Sequence, residues 1–148
     1  MTICDYFSAA DDQAAVAVVD RPGGPDEAGH DAVFLKNIDP VVAVAQLEAI
    51  LTDCGYEEAS QRPRSGQLLS SPEGDVSLVF SLSDTLGEAL AAAAPADLAR
   101  AAESWSMTAE LQQCQVDAQT ALGVLEALAG LARRAGAAGL RLYCQWSL

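Results

Sequence analysis

Basic and aromatic residues are scarce in this chain, and each scarcity argues against a class of function. Only 5% of its 148 residues are aromatic, and it holds one histidine and a single lysine, Lys36. So few basic residues cannot form a stripe that neutralises a row of nucleic-acid phosphates. A zinc site is disfavoured too, because histidine is nearly absent and no two cysteines lie within four residues of each other. We therefore expect no nucleic-acid partner, no metal and no cofactor.

Long apolar runs are missing as well. The longest candidate, EALAAAAPADLA, is interrupted by Pro95 and Asp97 well short of the ~20 residues that span a bilayer. The first residues, MTICDYFSAADD, show no basic start and no cleavage site of a secretory leader. We therefore predict a cytoplasmic protein that does not enter membranes, with reduced thiols at all four cysteines: Cys4, Cys54, Cys114 and Cys144.

Acidic residues are abundant. The formal net charge is −13, and acid is densest in the first 31 residues, where Arg21 is the only opposing arginine or lysine. The carboxylates of that segment are Asp5, Asp11, Asp12, Asp20, Asp26, Glu27 and Asp31. Such a run is typical of a solvated, solubilising surface. It also fits a docking face for a basic partner, such as a toxin or a nucleic-acid-binding protein.

No catalytic motif is recognisable. Any Ser-His-Asp or Cys-His scheme must use His30, which stands beside Asp31 in a glycine-rich loop that is poorly suited to hold a nucleophile–base hydrogen bond. Phosphate-binding and dinucleotide-binding signatures are absent. Arg62 and Arg64 flank Pro63 and could together grip an anion. We assign no catalytic, cofactor-binding or metal residue.

Two function classes stay open. The preferred interpretation is a non-enzymatic interaction or ligand-binding protein with an acidic surface, of a regulatory or immunity type. The alternative is a small hydrolase or transferase that uses scattered carboxylates and His30.

The pattern of elements predicts an α+β fold in a single domain, 1–148. About a fifth of the residues are alanine, which favours closely packed helices. We expect about five helices over a small mixed sheet, with strands near residues 3–7, 32–37, 67–70, 76–82 and 140–147.

Capping residues predict where helices begin. Ser8 is expected to cap a helix from about Ala9 to Asp20, and Asp39 with Pro40 marks the next start. Further along, Thr85 and Glu88 have the spacing of a capping box, and Pro95 should separate two consecutive helices. The longest helix, 118–137, should begin after Asp117.

The last segment, GLRLYCQWSL, alternates strictly. This predicts a docked, half-buried terminal strand, and it makes Cys144 a core residue rather than a reactive thiol. The buried set is Leu140, Leu142, Cys144, Trp146 and Leu148, and the open set is Arg141, Tyr143, Gln145 and Ser147. In VSLVFSLS, the side with Leu78 and Phe80 is expected to be buried and the side with Val79 to be more open.

The order of elements resembles the YfbM-like family of small bacterial proteins. The segments that carry the resemblance are MTICDYF before a helix, LSDTLGEALAAAAPADLARAAESWSM, and ALAGLARRAGAAG before a terminal strand. It extends over most of the chain in layout, although AVFLKNIDP lacks the tryptophan that the family pattern places there. The resemblance implies a fold and no mechanism, so no site residue is carried over.

Overall fold

A computed structural model describes residues 3–20, 24–27, 29–70 and 77–147. It confirms an α+β fold built on one five-stranded sheet. The strands are β1 (Ile3–Ala9), β2 (Ala32–Lys36), β3 (Gln67–Leu68), β4 (Ser77–Ser81) and β5 (Arg141–Ser147). The α-helices within these ranges are α1 (Asp12–Val16), α2 (Gly24–Glu27), α3 (Val42–Thr52), α4 (Tyr56–Ser60), α5 (Asp84–Ala92), α6 (Pro95–Ser106), α7 (Ala109–Gln113) and α8 (Ala118–Ala138). A 3₁₀ helix, Ala17–Asp20, continues α1.

The strand order is β2-β1-β5-β4-β3, and every neighbouring pair is antiparallel. We predicted a mixed sheet, and the strand directions differ from that expectation. The terminal strand β5 lies at the centre of the sheet, between β1 and β4. Its docking is therefore confirmed, although the predicted Leu148 lies outside the described residues.

One side of the sheet, here called the helical face, carries Cys4, Tyr6, Leu142 and Cys144 and forms the main core with the larger helices. The long helix α8 buries a seam of small and apolar residues, among them Ala121, Leu125, Leu128, Leu131 and Ala132. Burying each leucine contributes about 1.5–3 kcal/mol. Within the described residues, no helix is long and apolar enough to cross a membrane.

The other side, here called the open face, carries Asp5, Phe7, Tyr143 and Gln145. The α1 segment and its 3₁₀ extension cover the end of this face near Phe7 and Tyr143, where a second, smaller core forms. Tyr143 is fully buried and Gln145 is 6% exposed, so the prediction that they lie on an exposed side of β5 was wrong. A strand at the centre of a sheet is buried on both sides wherever both faces are covered.

Strand β4 shows the same effect. Val79 and Ser81 are fully buried, whereas Leu78 and Phe80 are only half-buried, so the expected polarity of this strand was reversed. Val79 joins the small core of the open face. The serine is accommodated because its hydroxyl donates to the Arg64 carbonyl oxygen at 2.7 Å.

Two helix starts differ from the prediction. Strand β1 runs on to Ala9, and Asp11 rather than Ser8 caps α1 by accepting from the Ala14 amide at 2.8 Å. Ser83 rather than Thr85 caps α5.

Two other boundaries are as predicted, because Pro95 opens α6 and Asp117 caps α8. Helix α3 begins at Val42, two residues later than Asp39 and Pro40 predict, although the Asp39 carboxylate does accept from the amides of Val42 and Ala43.

Candidate functional site

His30 does not occupy a freely solvated loop. It is half-buried, its ring lies against Phe7 with centroids 5.5 Å apart, and its Nδ1 donates to the Ser8 carbonyl oxygen at 3.0 Å. Among the described residues, no hydroxyl or thiol is hydrogen-bonded to the ring. His30 therefore fastens the segment before β2 to strand β1.

The two arginines around Pro63 do not share a ligand. Arg62 binds Glu48, with Nη1 2.6 Å from Oε2, and Arg64 binds Asp12, with Nη2 2.8 Å from Oδ1. The hypothesis that they grip one anion was wrong, because each guanidinium is already neutralised by a different carboxylate.

Glu48 is the most deeply buried carboxylate described, at 1% exposure. Its Oε1 accepts from the Ser83 hydroxyl, and its Oε2 accepts from Thr85 Oγ1 at 2.7 Å and from Arg62. Both carboxylate oxygens therefore have a donor, and the Arg62 charge helps to offset the cost of burying the Glu48 charge. The cluster connects α3, the segment after α4 and the start of α5. We call it the Glu48 cluster.

Cys54 lies at the edge of the Glu48 cluster. Its Sγ is 3.3 Å from Thr52 Oγ1 and 3.5 Å from Arg62 Nη2, and the residue is half-buried. All four cysteines are free thiols, with Cys4 and Cys144 buried and Cys114 exposed.

A different arrangement occurs on the open face, where Asp5 of β1 stands directly opposite Gln145 of β5. Asp5 Oδ1 and Gln145 Oε1 are buried oxygens, and neither has a hydrogen-bond partner within the described residues. Two facing acceptors with no donor between them are uncommon, since buried polar atoms nearly always have a partner.

Gly24 closes one side of this pair. A Cβ added there would lie 3.6 Å from Asp5 Oδ2 and 4.0 Å from Gln145 Oε1, so the backbone of α2 passes close above both side chains. The φ of Gly24 is +81°, a left-handed conformation that other residues rarely adopt. We call Asp5, Gln145 and Gly24 the acceptor site.

The electrostatics of the acceptor site favour a cation. Burial raises the pKa of Asp5, and the nearby charge of Asp26 raises it further. Within the described residues, no basic side chain forms an ion pair with Asp5. The described arginines are engaged elsewhere: Arg62 with Glu48, Arg64 with Asp12, Arg100 with Asp97, Arg134 with Asp31, Arg141 with Asp84, and Arg133 with the carbonyls of Ala91 and Ala93.

Exposed apolar side chains border the acceptor site. Phe34 of β2 pairs with Asp5 in the register and is 59% exposed, and Ile3 on the same face is 41% exposed. The α1 segment covers the other end of the open face and α2 approaches Asp5 and Gln145, so among the described residues Phe34 and Ile3 are left exposed at this corner of the sheet. A half-buried carboxylate beside an exposed aromatic ring is a suitable place for a long cationic side chain.

A cleft of about 460 Å³ between α3, α5 and α6 offers less chemistry, since alanines form much of its lining. The charged residues in it, Asp97 and Arg100, pair with each other. No three metal-binding side chains come together anywhere in the described ranges.

From the sequence alone, Asp5 is expected among the surface acids and Gln145 on the open side of the terminal strand, and the structure places both side chains at the acceptor site. The available signal was a charge inside an apolar strand, ICDYFSA, since a carboxylate at such a position needs a partner. The partner strand of Asp5 was not evident, because pairing between the two ends of the chain leaves no local pattern.

No family model matches the chain, and the searches of curated proteins and of solved structures also return no match. The YfbM-like resemblance stays a prediction.

Proposed function

We propose that this is a non-enzymatic binding protein whose acidic open face docks a basic protein partner, with one arginine or lysine of the partner seated in the acceptor site. The observation that carries the proposal is the pair of buried acceptors, Asp5 Oδ1 and Gln145 Oε1, neither of which has a hydrogen-bond partner in the described part of the chain. A cationic donor supplies what both atoms lack, and charge-assisted hydrogen bonds are about twice as strong as neutral ones.

Charge supports a cationic rather than a neutral ligand. Asp26 adds a second negative charge near Asp5, and the whole chain carries −13. A field of this sign speeds the approach of a basic protein and repels phosphates. The same field makes binding sensitive to ionic strength.

The test uses N-acetylarginine methylamide and N-acetyllysine methylamide as probes, observed by NMR chemical shifts. We expect a saturable shift of the Gln145 side-chain amide and the Asp5 backbone amide that weakens as salt is added. Asp5→Asn should weaken binding at least tenfold. Glu126→Gln is the matched control, because it removes one charge from an exposed position on α8.

Two outcomes would overturn the proposal. Equal losses in Asp5→Asn and Glu126→Gln would mean that the probe responds only to net charge. Binding that emerges only in Arg21→Ala would mean that the site is filled from within the chain, since Arg21 lies three residues before Gly24 in the sequence.

A further inference from the structure

Strand β2 forms one edge of the five-stranded sheet, and its outer backbone groups have no partner strand among the residues that the structure describes. The Ser8 amide donates to the Asp31 carbonyl oxygen at 3.1 Å, which fixes the hydrogen-bonding phase of the β1–β2 ladder. In that phase Val33 and Leu35 point their backbone groups toward β1. The N–H and C=O groups of Ala32, Phe34 and Lys36 therefore point outward, and no described residue pairs with them.

The two edges of the sheet differ in how they are protected. At the far edge, β3 is only two residues long, a length that offers little to a new strand. In contrast, β2 has five residues, AVFLK, with no proline. Four of the five are apolar, and Phe34 is largely exposed. An edge of this kind is a template for pairing with another chain.

We propose that the basic partner binds as an added β-strand along β2, with one arginine crossing Phe34 to reach the acceptor site. This inference rests on the proposed function and specifies how the cation is delivered. Strands lie ~4.8 Å apart, so the added strand runs ~10 Å from β1, which carries Asp5. Phe34 stands between the two in the same cross-strand row.

Arginine fits this path better than the other cationic side chains. Its long stem and planar guanidinium can lie on the face of Phe34 and end at the Asp5 carboxylate. A lysine has the stem but stacks less well on an aromatic ring, and a histidine is too short for the span. Arginine should therefore bind more tightly than lysine at the same peptide position.

A second copy of this chain is a poorer occupant. Each copy carries −13, so pairing two β2 edges brings two strongly acidic molecules together. Lys36 is the only cation on the strand that could serve the acceptor site of the other copy. Charge complementarity thus favours a basic segment.

The probe is a nine-residue peptide of alternating threonine and valine with one central arginine. Its matched control carries N-methyl groups on alternate backbone amides, in both possible registers. N-methylation removes the donors that a strand needs and leaves the arginine unchanged. We expect it to weaken binding at least tenfold. Bound peptide should slow hydrogen exchange at Phe34 and Lys36, while Val33 and Leu35 keep the protection they have from β1.

Two variants of Phe34 distinguish the contribution of the aromatic ring to peptide binding from that of the backbone N–H. Phe34→Thr removes the aromatic surface and keeps the amide, so the loss should be about fivefold. Phe34→Pro also removes the outward N–H, and proline is tolerated on an edge strand, so binding should be lost. Far-ultraviolet circular dichroism checks that the proline variant is folded, and the N-methylated peptides test the same point without any mutation.

The outcomes distinguish this inference from the proposed function. If N-acetylarginine methylamide binds in an Asp5-dependent way but N-methylation has no effect, strand addition is wrong and the cation site stands. If the peptide protects Phe34 and Lys36 but Asp5→Asn changes nothing, strand addition stands without the cation site. Concentration-dependent protection of the two amides in the absence of peptide would show β2 pairing between copies, which overturns the inference.

Discussion

Two carboxylates of this protein, Glu48 on α3 and Asp5 on β1, have opposite hydrogen-bonding environments. Glu48 is 1% exposed and accepts from Ser83, Thr85 and Arg62. Asp5 is half-buried and has an oxygen with no donor at all among the described residues. A buried charge that is fully paired connects the elements around it. A buried acceptor without a donor lowers stability, and in the function proposed above a cation of the partner supplies the missing donor.

The largest expected effect follows from breaking the Glu48 cluster. Glu48→Ala removes the acceptor of three donors and leaves the Arg62 charge without its counterion. We expect the free energy of unfolding to fall by about 3 kcal/mol, at the lower end for a broken buried pair because Arg62 is partly exposed to water. Urea denaturation followed by circular dichroism measures this. The control Thr85→Val removes one hydroxyl and should cost about 1 kcal/mol. Equal losses in the two variants would contradict the role given to the buried charge.

The next effect concerns the covered end of the open face. Tyr143 donates to Asp12 at 2.8 Å, and Arg64 holds the same carboxylate, so this polar group is paired like Glu48 and unlike Asp5. Tyr143→Phe removes one hydrogen bond to a charge that is partly exposed, and we expect a loss of about 1.5 kcal/mol.

The same tyrosine gives a pH dependence. Burial and the Asp12 hydrogen bond raise the pKa of Tyr143 to about 12. Folding thus favours the neutral phenol, so stability falls as the pH rises from about 10 toward 12, and Tyr143→Phe should lack that part of the fall. Absorbance at 295 nm follows the titration directly. A phenol that ionises at pH 10 in the folded protein would contradict the buried contact.

At the acceptor site we expect Asp5→Asn to change the free energy of unfolding by a smaller amount and in the opposite direction. The pKa of Asp5 is raised in the folded protein, so ionising it costs stability as the pH rises from about 3.8 through the folded pKa. Asp5→Asn removes that cost. We expect the variant to be more stable than the parent at pH 7 by less than about 1 kcal/mol, and equally stable near pH 3.

Urea denaturation at both pH values checks this sign. A destabilised Asp5→Asn protein at pH 7 would mean that the carboxylate is already paired, as Glu48 is. The contrast between the two sites would then be lost.

Elements that depend on local sequence were the predictable part of the fold. The start of α8 after Asp117 and the break at Pro95 follow from caps and backbone constraints within a few residues, and both were confirmed. The alternation of β5 correctly identified a strand, but alternation is the same for an edge strand and a central strand. The position of α1 over the sheet decides which face of β4 is better covered. It also decides that Tyr143 is buried. That is a tertiary contact with no local signal.

The site was less predictable than the fold for the same reason. Asp5 and Gln145 are 140 positions apart and meet only because the two ends of the chain form neighbouring strands. Similarly, Glu48 meets Arg62 and Thr85 through the packing of three separate segments. A sequence can show that a charge stands in an apolar stripe, as both acids do, but the presence or absence of its partner is a property of the assembled structure.

The smallest effect is kinetic, and it uses Cys54 as a reporter of the Glu48 cluster. With a thiol reagent, exposed Cys114 should react first and half-buried Cys54 more slowly. Buried Cys4 and Cys144 should react only after unfolding, and burial also raises the pKa of Cys144, which lowers its thiolate fraction.

Because Cys54 contacts Thr52 and Arg62, Glu48→Gln should loosen the surroundings of Cys54 and raise its labelling rate severalfold. Asp5→Asn lies on the other side of the sheet and should leave that rate unchanged. Mass spectrometry of partly labelled protein gives the rates. An equal acceleration in both variants would show that the two carboxylates are coupled through the sheet, and neither could then be interpreted without the other.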